Sequence, residues 1–557
     1  MAVESQLLLG LLGLPVVGAV GCWILGPGRL PVVRLLALVV TLACLMMASY
    51  LASAYLRLER PTVPLTGPVS FVPAFVPGAT AEQPHTTSWT LLPLGEKEGI
   101  RFFLGVDGLN LWLVLLSAIL AVPSVLVSFE AITQRGNEYY AWLLLLLASL
   151  FGTFLAFDLM LFYVFFEAGL VPLFFLIGIW GGGQRAEAAK RYVITMLAGS
   201  LLSLLGLLMI VLICYAQTQT LTFAIPDLVR TVGEIARQEG YSLSLQTWVF
   251  LALSAGFAVK VPIFPLHTWQ PFVYTEAPTA GNALLAGIIL KLGCYGFLRL
   301  AIPLAPDAAW VVGLPLLTML GAVSVVYGAF AAYGQSDLKT LLAYSSFSHL
   351  GLVMLGMFSL NIVGLQGSLV HMLNHGLYTA LLFLLVGLMI DRYQIRKIAA
   401  FGGMASRMPC FAALLVFAAL ASVGLPLLNG FVGEFLCLAG IYRYEASQGR
   451  SLLPLLTVLG ASGMVLGAWY LFTMLRRVLF GPLHEPHPEI DAPSPVGDLR
   501  PREWVLLAPL VLLCVVMGVY PAPVLRSTEP EIRRLSTLMQ QAQKRADPLK
   551  VAQKTSP

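Results

Sequence analysis

Six ionisable residues stand in stretches of this chain that otherwise read as lipid-buried helix: Glu167, Lys260, Lys291, His349, His375 and Glu434. An ionisable group at mid-bilayer depth costs at least ~2.5–3.5 kcal/mol on insertion scales, so each needs a partner, a water or a task. Strung along one chain, they form a candidate path for protons. Lys339, near a helix start beside Asp337, joins them as either a surface residue or a relay member.

Glu167 lies in VFFEAGLVPLFF, and Lys260 comes just before Pro262. A carboxylate and an ammonium that approach and separate make a switch, since the lysine holds its proton best while the carboxylate is near. The plain alternative is a static ion pair that ties two helices together. Lys291, in LLAGIILKLGCYGFLRL, has no acid in its own helix and lies too deep to snorkel. It requires water or another titratable group beside it.

His349 sits in AYSSFSHLGLV beside Ser345, Ser346 and Ser348, and His375 sits in HMLNHGLYTALLF one turn after His371. Histidine changes charge near neutrality and can relay protons, although each one alone also reads as a hydrogen-bonded core residue. Glu434, in NGFVGEFLCL, has no basic residue within a turn. His371 and His375 have i, i+4 spacing, but no third ligand follows at a recognisable spacing, so no metal is expected.

The elements that must position these groups are membrane helices. Of 557 residues, 58% are hydrophobic and 11% charged, with a mean hydropathy of +0.85. Soluble domains carry about 25% charged residues, so the balance belongs to a polytopic membrane protein. A net charge of +5 is small for this length and gives no reason to expect a nucleic-acid partner. The seven cysteines are scattered, form no CxxC and read as small core residues. No flavin, nucleotide or iron–sulfur signature is present, so this chain is not expected to hold electrons.

Against the ~20 apolar residues needed to cross the hydrocarbon core, about fourteen candidate spans are expected. They lie near 7–25, 31–56, 109–128, 139–156, 159–180, 192–215, 246–263, 279–302, 310–332, 340–358, 364–390, 409–428, 452–475 and 504–520. The first lacks a basic flank and is read as a retained span rather than a cleaved signal. At this length only helices satisfy their own backbone in lipid, which predicts an all-α bundle. Basic residues follow the first, fifth, eleventh and thirteenth spans (Arg29 and Arg34; Arg185, Lys190 and Arg191; Arg392, Arg396, Lys397 and Arg407; Arg476 and Arg477). The positive-inside rule then places both termini outside, together with segments 57–104 and 217–244.

Two spans are irregular. AVKVPIFPLHTWQP carries Pro262, Pro265 and Pro271, and ASVGLPLLNGFVGEF carries Gly424, Pro426 and Gly430. Proline removes a backbone donor and clashes with the preceding turn, so helices 7 and 12 should break. Breaks at matching places suggest two inverted five-helix repeats, spans 4–8 and 9–13, as in many ion transporters. The expected division is 1–105 (two spans and an outer loop), 106–138 (third span), 139–302 and 303–478 (the repeats) and 479–557 (loop, last span and polar tail). The stretch after Tyr520 reads as a short outer helix or a tail.

The runs FFEAGLVPLFFLIGIWGG, KVPIFPLHTWQP…EAPTAGNALLAGIILKLGCYGFLRL, SDLKTLLAYSSFSHLGLV and LPLLNGFVGEF closely resemble the antiporter-like membrane subunits of respiratory complex I. The resemblance is greatest to the subunit M type, which corresponds to mitochondrial subunit 4, and runs from about Asp107 to about Leu475. It implies that Glu167 and Lys260 are the glutamate and lysine of the fifth and broken seventh helices. Lys291 would be the central lysine, and His349 and His375 polar members of the axis. Lys339 would be a family lysine of the tenth helix and Glu434 the terminal group on the broken twelfth. One loop departs from the family pattern HxWLPDAHxxAPT: Phe272 and Tyr274 replace its aspartate and histidine, with Glu276 close by.

The resemblance implies a proton-translocating subunit of an NADH–quinone oxidoreductase, with NADH, flavin, iron–sulfur clusters and quinone held by partner subunits. Antiporter-like L- and N-type neighbours and a bacterial plasma membrane would surround it. The alternatives are a subunit of a multi-subunit sodium/proton antiporter, or a non-conducting membrane scaffold.

Overall fold

The protein is described by a computed structural model covering residues 2–58, 69–94, 99–237, 240–447, 454–486 and 497–546. Among the described residues, thirteen helices are long and apolar enough to cross a membrane. The twelfth predicted span, 409–428, is shorter: Pro409–Ser422 ends at a turn, and a second helix, Asn429–Ser447, follows. The all-α expectation holds, apart from one small hairpin of strands Thr90–Pro93 and Gly99–Arg101.

The helices differ sharply in how much of their surface is enclosed. The apolar window of Thr279–Leu304 is buried along its whole length, and that of Ile362–Tyr393 nearly so. Those of Leu455–Leu479, Pro501–Val519 and the first two helices are mostly open. Of the candidate site residues, Lys291 and His375 lie on the two most enclosed helices, as does the neighbouring His371.

One bidentate ion pair fixes the central helix. The Arg299 guanidinium meets both oxygens of Asp107 at 2.6 Å, with neither side chain exposed. Tyr295 accepts from Arg299 Nε at 2.9 Å, and the rings of Phe71 and Phe157 lie 4.4 and 4.7 Å from the guanidinium carbon. Asp107 also takes the Leu109 amide at 3.0 Å, just ahead of helix Leu111–Ala131. Arg299 sits two turns after Lys291, so this anchor sets the depth of the lysine.

The stretch after Tyr520 forms a long helix, Ala522–Ala546. Its Ser527 hydroxyl accepts from Trp112 Nε1 at 2.7 Å, Leu525 O accepts from Gln366 at 2.9 Å, and Arg545 pairs with Asp307. It therefore straps three separate parts of the bundle. The remainder of the expected tail lies outside the described residues.

Candidate functional site

Helix Leu243–Lys260 ends on Lys260, and the chain runs irregularly through Pro262 and Pro265 to helix Trp269–Glu276. The expected ion pair with Glu167 is not formed. Lys260 Nζ instead donates to Phe166 O at 2.8 Å and stands 3.2 Å from the centroid of the Phe166 ring. Phe166 lies in the last turn of helix Leu159–Ala168, the first part of a span that is interrupted at Gly169, three residues before Pro172, whose missing N–H cannot bond back to Ala168. Both Glu167 oxygens are buried without a hydrogen-bond partner. The two charges still interact through space, with the lysine held one residue short of its acid.

Lys291 lies between two π-helical turns, Leu285–Ile289 and Phe297–Ala301. Such turns widen a helix and release carbonyls from the regular ladder. Lys291 Nζ bonds to one such carbonyl, Ala286 O, and reaches His375 Nδ1 at 2.6 Å. With the ammonium as donor, Nδ1 is the imidazole acceptor and Nε2 carries the ring proton.

His349 bridges onward. Its ring centroid is 5.8 Å from that of His375, and Tyr378 stands 5.5 Å from both rings. On its other side His349 Nδ1 is 3.3 Å from Glu434 Oε1, while Nε2 meets the Ser422 hydroxyl at 3.3 Å. Glu434 thus acquires a basic partner that no residue within a turn of it supplies. Lys291, His375, His349 and Glu434 form one buried row of titratable groups.

The second break places Glu434 against that row. Gly424 has φ +75°, which favours glycine, and a Cβ there would press on the Glu434 carboxylate. Asn374 and Asn429 exchange side-chain to backbone bonds at 2.6 and 3.2 Å, fixing the broken helix to Ile362–Tyr393.

Lys339 is buried, which removes the surface reading, and donates to Ala277 O at 2.8 Å. It borders a cavity of about 980 Å³, together with Glu276, Asp391, Arg392 and Arg396. The divergent loop is packed tightly. Tyr274 is fully buried against Phe383, and Arg191 stacks over Phe272. Glu276 accepts from the Gln184 amide at 2.8 Å and pairs with Arg396 at 3.4 Å. It acts as a latch between loops.

Residues outside the expected set complete the site. His371, Asn374, His375 and Tyr378 share one helix face, a spacing legible in HMLNHGLY. His371 stands beside the row, its ring 5.7 Å from His349 and 6.4 Å from His375, with neither nitrogen bonded. Glu434 Oε2, His375 Nε2, Tyr378 Oη and the Asn374 and Asn429 side-chain oxygens also lack protein partners. Buried polar atoms nearly always find a partner or a water. So many orphans in one place suit a hydrated path rather than a dry core.

Residues 156–460 match the family described as NADH:quinone oxidoreductase/Mrp antiporter, TM. The chain is 38% identical over 437 residues to NADH-quinone oxidoreductase subunit M of Rhodobacter capsulatus, covering 78% of this chain and 82% of that one. It is 36% identical over 513 residues to NADH-ubiquinone oxidoreductase chain 4 of Arabidopsis thaliana, covering 92% and 93%. A chain of respiratory complex I from Thermus thermophilus superposes with a TM-score of 0.76 at 31% identity, covering 96% of this chain and 99% of that one. The chain belongs to the NADH:quinone oxidoreductase/Mrp antiporter family of transmembrane subunits, in its subunit M branch.

Proposed function

We propose that this chain is a proton-translocating membrane subunit of an NADH–quinone oxidoreductase and carries ions, not electrons. The observation that bears the reading is the buried row Lys291, His375, His349 and Glu434, with polar contacts at Lys291–His375 and His349–Glu434 and the two imidazole rings 5.8 Å apart between them. Glu167 and Lys260 form the input switch: motion of Lys260 from Phe166 O to Glu167 would change the field at Lys291. Lys339, beside its cavity, supplies protons from the side of the basic loops. A proton moving against 100 mV costs ~2.3 kcal/mol, so each contact must open and close in turn.

Matching breaks after Lys260 and Ser422 support two inverted five-helix repeats, spans 4–8 and 9–13. The cofactors NADH, flavin, iron–sulfur clusters and quinone belong to partner subunits, and L- and N-type subunits flank this chain. A bacterial plasma membrane with both termini outside fits the loop charges. A passive scaffold would not need so continuous a polar interior.

The test is Glu167→Gln in membranes where assembly of the complex is verified. Quinone reduction and vesicle acidification should both fall, while electron transfer to a water-soluble acceptor persists. Unchanged acidification would make Glu167 structural and move the scaffold reading forward.

A further inference from the structure

His371 has no task in the axis described above. Protons pass from Lys291 through His375 and His349 to Glu434 without it, yet it is wholly buried and both its nitrogens lack a partner. Its surroundings suggest a different use. One donor atom from each of His349, His371 and Glu434 lies within 4.8 Å of the other two. The three come from separate elements, Leu338–Met357, Ile362–Tyr393 and Asn429–Ser447, so only the fold assembles them.

We propose that His349, His371 and Glu434 form a binding site for a divalent transition-metal ion of the zinc type, and that an ion held there blocks the axis. Two imidazoles and one carboxylate are a donor set zinc accepts, at ~2.0–2.2 Å each, and small side-chain rotations close the remaining distance. Imidazole favours zinc, copper and nickel over magnesium or calcium, which need all-oxygen sites. The unbonded Oε2 of Glu434 and the unprotonated nitrogen of His371 offer the lone pairs such an ion would take. The 3.3 Å contact between His349 and Glu434 already holds two ligands side by side. Gly433 packs its backbone on His371, where any side chain would clash, so helix Asn429–Ser447 carries Glu434 close to the histidine.

Blockage follows from the same geometry and rests on the proposed function. A ligated Glu434 no longer accepts a proton from His349. The ion's charge also opposes protonation of the neighbouring Lys291–His375 pair. His349, at 9% exposure the least enclosed of the three, is the side from which an ion enters.

The experiment uses the whole complex, washed with chelator and then incubated with Zn²⁺. Bound zinc per complex, zinc difference density and inhibition of vesicle acidification are read for wild type, His371→Gln and His371→Cys. Wild type should hold one more zinc than His371→Gln, with density between the three side chains, and His371→Cys should restore it. Each protein's response to zinc is read against its own zinc-free pumping rate. The zinc concentration that halves pumping should rise in His371→Gln by more than the ~10–100-fold that outer-shell changes cost a metal site. Equal zinc in wild type and His371→Gln, or no density at the site in wild type, would overturn the metal site. Wild-type density alone decides the matter if a variant does not assemble. Site-specific zinc that leaves pumping unaffected would keep the metal site and instead remove the proton path through His349 and Glu434.

Discussion

Lys291 Nζ lies 2.6 Å from Nδ1 of His375, on the two most enclosed helices of the bundle. The ammonium has one carbonyl, one imidazole and no acid to share its charge. Lys291→Met should lower vesicle acidification by about 10²-fold or more, the usual contribution of a positioned acid–base group. His375→Asn, which keeps a polar side chain, should lose less. Dye-quench assays on inverted vesicles would show the order, and equal loss in both would dismiss a separate role for the lysine.

Glu434 meets His349 through one oxygen and leaves the other unbonded. Glu434→Gln preserves the shape and removes the proton site. Pumping should drop about tenfold or more, with the complex still assembled. Ser422→Ala removes one 3.3 Å hydroxyl contact to His349 and should change the rate by no more than a few-fold. A larger effect of Ser422→Ala than of Glu434→Gln would contradict the axis.

Gly424 is required by its backbone and by its neighbour. At φ +75°, any side chain is strained, and a methyl group would press on the Glu434 carboxylate. Gly424→Ala should cost about 1–3 kcal/mol of stability, the scale of such backbone strain, and should displace Glu434. Both a lower melting temperature and slower pumping are expected. Normal pumping in Gly424→Ala would show that the break does not position the acid.

Asp107 and Arg299 form a fully buried pair. Removing one partner leaves the other charge unpaired, at a cost of about 3–5 kcal/mol. Asp107→Leu or Arg299→Met alone should reduce the amount of assembled complex, read on native gels. The double variant should recover part of that loss, because an apolar pair of similar size is often tolerated. A double variant worse than either single would mean the charges act separately.

Asp498 caps helix Pro409–Ser422 from outside the membrane-spanning segments, accepting from the Cys410 and Phe411 amides at 2.7 and 3.0 Å. Partial burial pushes its carboxyl up, but those amides and that of Leu499 outweigh burial and hold it below the usual aspartate range. A lowered folded value means the charged cap stabilises above the unfolded pKa of about 3.9 and fades as pH falls through the folded value. Asp498→Ala should cost about 0.5–2 kcal/mol near neutrality. The melting difference from wild type should shrink as the pH drops below about 4. A constant difference would indicate that packing, not the charge, supports the helix.

The membrane architecture was legible in the residues themselves. Lipid leaves the backbone no partner but itself, so apolar runs of the right length had to be helices, and the prolines near Lys260 and the glycines near Glu434 had to break two of them. Each candidate was also visible by type, because a charge in an apolar run is expensive. Which charges meet was decided only by tertiary structure. Lys291 and His375 are 84 residues apart, and Lys260 reaches Phe166 O across 94. Contacts at such distances depend on how far each helix is rotated and how deep it sits. Those settings come from the Asp107–Arg299 anchor, the π turns beside Lys291 and the close approach at Gly433. For this reason the sequence suggested a Glu167–Lys260 pair, whereas the fold holds them one residue apart. It also offered His371 no partners, whereas packing set His349 and Glu434 beside it.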